Sequence, residues 1–77
     1  SLGSRLSDSQ IDIMRLVAAG HSNSEIARRR SLTVPAVEKA IARLIKQLDV
    51  QAPPDTNQRV AIAQAYFRLT GSVSARR

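Results

Sequence analysis

The sequence predicts an all-α domain of four helices, and three observations carry that prediction. Apolar residues recur at helical spacing. Each such run is preceded by a Ser, Thr or Asn that can cap it, and the runs are separated by Gly or Pro. Strand signals, meaning period-two alternation bounded by turn residues, are nearly absent.

Ser7 and Gln10 stand at the spacing of a capping box. An apolar set follows on the Gln10, Ile13, Met14, Val17 spacing, with Leu6 placed to pack as a staple. Gly20 supplies a left-handed stop for this first helix. Ser22 and Glu25 repeat the capping-box spacing ahead of a short second helix over about Asn23 to Arg30, which turns Ile26 and Ala27 inward. Ser31 and Leu32 make a tight turn. Thr33 caps the third helix, and Pro35 sits in its first turn, where a missing backbone N–H costs nothing.

The third helix reaches about Leu48 and is strongly amphipathic. Val37, Ile41, Leu44, Ile45 and Leu48 follow the inward rule. Pro35, Glu38, Lys39, Ala42 and Lys46 face the other way, with Arg43 on the flank. Residues 49–55 contain Pro53 and Pro54 and read as a loop. Thr56 or Asn57 then caps a fourth helix that ends near Thr70, before Gly71, with one face expected against the third helix.

Length and composition set bounds on function. Seventy-seven residues make one domain, and a chain this short buries only about 60 % of its unfolded surface. The domain is expected over residues 6–71, with 1–5 a linker or remnant downstream of further natural sequence and 72–77 a basic tail carrying Arg76 and Arg77. With no cysteine there is neither a disulfide nor a thiolate metal site, which suits a reducing, cytoplasmic compartment. No stretch reaches the roughly 20 apolar residues of a membrane span, and no secretion signal is visible. The net charge is +6, and Arg28, Arg29, Arg30, Lys39, Arg43 and Lys46 crowd one central stretch broken only by Glu38. A concentrated positive centre points to a polyanionic partner: nucleic acid or an anionic membrane surface. The membrane is the weaker of the two, because the basic face has no bulky apolar residues beside it.

Helix, short helix, tight turn and longer helix with a basic outer face is the order of a helix-turn-helix. A helix fits the major groove, and residues near its N-terminus reach base edges there. The preceding helix crosses the backbone, where its first amides can hold a phosphate and Asn23 can add a side-chain bond.

Residues 6–63, about three quarters of the chain, resemble the LuxR-type, GerE-like domains shared by NarL/FixJ response regulators and quorum-sensing regulators. The stretches that carry the resemblance are LSDSQIDIMRLVAAGHSNSEIARR, SLTVPAVEKAIARLIKQLDV and VAIA. It implies a four-helix LuxR-type bundle whose third helix reads double-stranded DNA and whose fourth forms a homodimer. The implied output is transcriptional activation or repression, set by an upstream sensor such as a receiver or a ligand-binding domain. RNA polymerase is a further partner that the resemblance allows.

The chain departs from the family pattern at several points. Arg30 stands where relatives usually have leucine, and Ser31 where they usually have glycine. Glu38 replaces a lysine that touches DNA in relatives, and Ala42 replaces another residue that often contacts bases. After Val50 the segment QAPPDTNQRV is longer than usual and lacks basic residues that relatives place near the backbone. A carboxylate repels phosphates but accepts from cytosine N4, so Glu38 points to an altered sequence preference, with Lys39, Arg43 and Lys46 keeping positive charge around it.

The expected DNA-facing set is therefore Asn23, Thr33, Val34, Ala36, Glu38, Lys39, Ala42, Arg43 and Lys46. Val60, Ala63, Tyr66 and Phe67 form the expected dimer contact, since the fourth helix carries more apolar surface than a short core helix needs. Arg28 and Arg29 either approach phosphates or lie exposed, and Arg30 is expected to bury its stem and send its guanidinium to water. His21 is expected at the surface. A competing reading is a protein-interaction module whose altered third helix (Glu38, Ala40, Ala42) has lost DNA readout; a sigma-factor promoter-reading region shares the architecture. No paired acids, nucleophile with base, metal cluster or phosphate loop suggests an enzyme, and no cofactor is expected.

Overall fold

The computed structural model describes residues 6–48 and 57–71. They form four helices and no strand: α1 (Asp8–Ala18), α2 (Asn23–Arg30), α3 (Val34–Leu48) and α4 (Gln58–Thr70). The loop expected over 49–55, the linker at 1–5 and the tail at 72–77 lie outside the described residues.

The helix ends follow from local chemistry. Ser7 Oγ accepts from the Gln10 N–H at 3.1 Å and Gln10 Oε1 accepts from the Ser7 N–H at 2.9 Å, a complete capping box. The box expected at Ser22 forms by half. Ser22 Oγ accepts from the Glu25 N–H at 3.1 Å, while the Glu25 carboxylate turns to Arg28 and Arg29. An ionised carboxylate gains more from two guanidinium groups than from one backbone amide. Thr33 Oγ1 caps α3 through the Ala36 N–H at 3.2 Å, and Asn57 Oδ1 caps α4 through the Arg59 N–H at 2.7 Å.

Two helices close in the same way. After α1, Gly20 (φ 92°) is left-handed; its N–H bonds to Val17 O and the His21 N–H to Leu16 O. After α2, Ser31 (φ 55°) does this with a side chain, its N–H bonding to Arg28 O and the Leu32 N–H to Ala27 O. This doubled bond satisfies two carbonyls that a helix end would otherwise leave open.

Each helix sends side chains to a single core. Met14, Ile26, Val37, Leu44 and Ile62 are wholly buried, with Ile13, Leu16, Val17, Ala27, Ile41, Leu48 and Ala65 around them. Leu6 closes one end, as a staple should. Side chains of this kind contribute about 1.5–3 kcal/mol each when fully buried. The α4 partner differs from expectation: this helix packs chiefly on α1 and only secondarily on α3. Periodicity specifies that a face is buried but not which helix covers it.

Arg30 is half-buried and adds a tertiary contact. Its Nη1 donates to Asp12 Oδ2 at 2.9 Å and its Nη2 to Ser9 Oγ at 2.9 Å, so the guanidinium ties the end of α2 to α1. Ser9 and Asp12 are three residues apart and share the α1 face that α2 meets. This polar clamp leaves a buried Arg30 Nε with no hydrogen-bond partner among the described residues.

Candidate nucleic-acid interface

The outer face of α3 is set by its core face. Val37, Ile41, Leu44 and Leu48 are buried, and at about 100° per residue the opposite side centres on Pro35, Lys39, Ala42 and Lys46. Arg43 stands on one flank and Glu38 on the other. All six are exposed.

Electrostatics separates this face from α1 and α2, although Arg68 on α4 is likewise exposed with no ion pair among the described residues. Arg15 and Arg30 share Asp12, and Arg28 and Arg29 share Glu25. Arg59 donates to Asn23 Oδ1 and to the His21 carbonyl. Lys39, Arg43 and Lys46 make no ion pair among the described residues. Their charge faces outward with no counter-ion among the described residues, and Glu38 is the single negative group on that face. The side chains beside them are short, since Ala36 and Ala42 flank Lys39 and Glu38, so a partner can approach the helix backbone closely.

The other expected contacts are placed less uniformly. Thr33 is exposed at the α3 cap. Ala36 is half-buried, and Val34 is half-buried and packed against the core, which leaves part of its side chain for a ligand. Ala40, named with Glu38 and Ala42 as an alteration of this helix, packs against the core instead of joining the outer face. Its place on the helix is nearer the buried stripe.

Asn23, in the first turn of α2, is half-buried and already engaged. Its Oδ1 accepts from Arg59 Nη1 at 2.5 Å, and Arg59 Nη2 donates to the His21 carbonyl. A guanidinium can only donate, so Arg59 fixes which end of the Asn23 amide faces it. The amide N–H donors are left unspent among the described residues. His21, expected at the surface, is half-buried and serves through its backbone. Arg59 is the residue that reading the sequence missed. It lies 36 positions from Asn23, and no local pattern connects the two.

On α4, Val60 is 48 % exposed, while Ala63, Tyr66 and Phe67 are half-buried. Val60, Ala63 and Phe67 recur at i, i+3 and i+7 on one side. Tyr66 packs against the core and meets the Phe67 ring edge-on, with centroids 5.8 Å apart.

Among the described residues no group of His, Cys, Asp or Glu could hold a metal ion, and no helix is long and apolar enough to cross a membrane. No curated protein and no solved structure gives a significant match. The family model of the bacterial regulatory proteins of the luxR family (GerE) matches residues 4–63 of the 77. That span takes in α1, α2, the turn at Ser31, all of α3 and residues 58–63 of α4. The LuxR-type fold expected from the sequence is thus the one observed, and the chain belongs to the luxR (GerE) family of bacterial DNA-binding regulatory proteins.

Proposed function

We propose that the domain binds double-stranded DNA sequence-specifically, with α3 in the major groove, as the output module of a cytoplasmic transcriptional regulator. The observation that carries this reading is the outer face of α3, where Lys39, Arg43 and Lys46 are exposed and carry no counter-ion among the described residues. Phosphate contacts fix position and base-edge contacts specify. Lys39, Arg43 and Lys46 supply positive charge to both, Thr33 and the Asn23 amide donate to the backbone, and Val34, Ala36 and Ala42 line the approach. Glu38 is an acceptor without a partner among the described residues. Facing base edges, it favours a cytosine N4 or adenine N6 amino group, and facing a phosphate it is repelled.

Two copies paired through Val60, Ala63, Tyr66 and Phe67 would place two α3 helices on half-sites about one helical turn apart. An upstream sensor or receiver would control that pairing, with RNA polymerase contacted at the promoter. The test is selection from a random duplex library, then anisotropy titration of the enriched site and a scrambled one at several salt concentrations. A two-fold-symmetric site bound about 10³-fold tighter than the scramble is the expected result, and Glu38→Lys should change the preferred base. Equal, weak binding that salt abolishes would refute sequence reading and leave the protein-interaction alternative.

A further inference from the structure

Glu25 on α2 is engaged by two arginines. Its carboxylate accepts from Arg28 Nε at 3.1 Å and from Arg28 Nη2, a two-pronged pair, and from Arg29 Nε at 2.7 Å. Both oxygens are taken. The arginine side chains are otherwise open, 71 % and 47 % exposed, and they stand on the last turn of α2, just before the turn into α3. In a helix-turn-helix this is the helix that crosses the phosphate backbone. The two most exposed cations of α2 are therefore compensated, while the three on α3 have no ion pair among the described residues.

We propose that Glu25 limits sequence-independent affinity: it occupies Arg28 and Arg29, so that the duplex must displace a carboxylate before either guanidinium reaches a phosphate. Non-specific binding is almost wholly phosphate neutralisation, and an internal carboxylate competes with phosphate for the same guanidinium fork. Base contacts by α3 do not meet this competitor. Glu25 thus holds down the phosphate contribution, which is nearly all of non-specific binding and only part of specific binding. The arginine neighbours hold the Glu25 carboxyl below its ordinary range, chiefly through the Arg28 hydrogen bond, so it stays ionised at neutral pH.

This inference rests on the duplex-binding reading, and one experiment separates the two. Glu25→Gln and Asp8→Asn remove the same charge, but Asp8 is an exposed acid with no ion pair among the described residues. Anisotropy against the selected and scrambled duplexes at several salts should show Glu25→Gln binding the scramble on the order of tenfold tighter. Its salt slope should steepen by about one to two units, at about 0.9 per phosphate gained. Asp8→Asn should move none of these.

Should Glu25→Gln lose helix by circular dichroism, the Arg28→Gln/Arg29→Gln double variant decides: a nearly unchanged slope supports the proposal, and a slope reduced by two phosphates overturns it. Equal effects of Glu25→Gln and Asp8→Asn, or weaker binding by Glu25→Gln, would overturn it too. If wild type selects no duplex at all, the reading of the site fails. The elution salt of the two variants from heparin then still tests the inference, which requires Glu25→Gln to elute later than Asp8→Asn.

Discussion

Ser31 holds a left-handed conformation (φ 55°, ψ 45°) that glycine adopts freely and a residue with a Cβ does not. The position is strained yet needed, since the Ser31 and Leu32 N–H groups close α2 on the Arg28 and Ala27 carbonyls and aim the chain into α3. Ser31→Gly should therefore stabilise the domain. Left-handed backbone costs an L-residue about 1–2 kcal/mol. Glycine returns part of that gain, about 0.5–1 kcal/mol, through its freer unfolded chain. The serine is exposed and its hydroxyl bonds to nothing among the described residues, so the substitution breaks no side-chain interaction there. The net gain is about 0.5–1 kcal/mol, which for a domain of this size raises Tm by roughly 2–8 °C.

Thermal unfolding followed by far-UV circular dichroism reads the shift. Ser31→Ala is the control and should stay close to wild type, because it keeps the Cβ and removes only the hydroxyl. Gly20→Ala is the mirror test: Gly20 ends α1 in the same motif at φ 92°, and an added Cβ would meet nothing within 4 Å. Its loss, about 1 kcal/mol or more, would come from backbone conformation alone. A Ser31→Gly Tm equal to or below wild type would refute the reasoning. So would an equal gain in Ser31→Ala, which would locate the effect in the hydroxyl.

Two further outcomes follow from the ion pairs and from Arg59. Asn23→Asp keeps an acceptor for Arg59 but exchanges the amide donors for a carboxylate. Melting should be unchanged or higher while duplex affinity falls about tenfold, as expected when one hydrogen bond to a phosphate is removed; unchanged affinity would remove Asn23 from the interface. Asp12 accepts from both Arg15 and Arg30, and its carboxyl is held below its ordinary range, first by the Arg15 hydrogen bond. A lowered folded pKa gives stability that is full above the unfolded value and disappears as pH falls through the folded one. Tm should thus be flat near neutrality and drop on acidification below the carboxylate range. Asp12→Ala should cost on the order of 1 kcal/mol at pH 7 and flatten part of that drop, as measured by melts across an acid pH series.

The sequence by itself determined what depends on near neighbours. Ser7 with Gln10, Thr33 with Ala36, and Gly20 and Gly71 act over three to five residues, so the helix borders could be read directly. The buried and outward sides of α3 follow from a 3.6-residue period that needs no partner, and with them the positions of Glu38, Lys39, Ala42, Arg43 and Lys46. At Glu25 the local pattern allowed two outcomes, a box with Ser22 or pairs with Arg28 and Arg29, and the charge-assisted bonds prevail in the structure. Tertiary structure decided the rest. That α4 lies chiefly on α1, that Arg30 clamps Asp12 from 18 residues away, and that Arg59 orients Asn23 from 36 away are outcomes of docking. A periodic pattern carries the direction of a side chain but not the identity of what it meets, because that identity depends on how whole helices pack around one core.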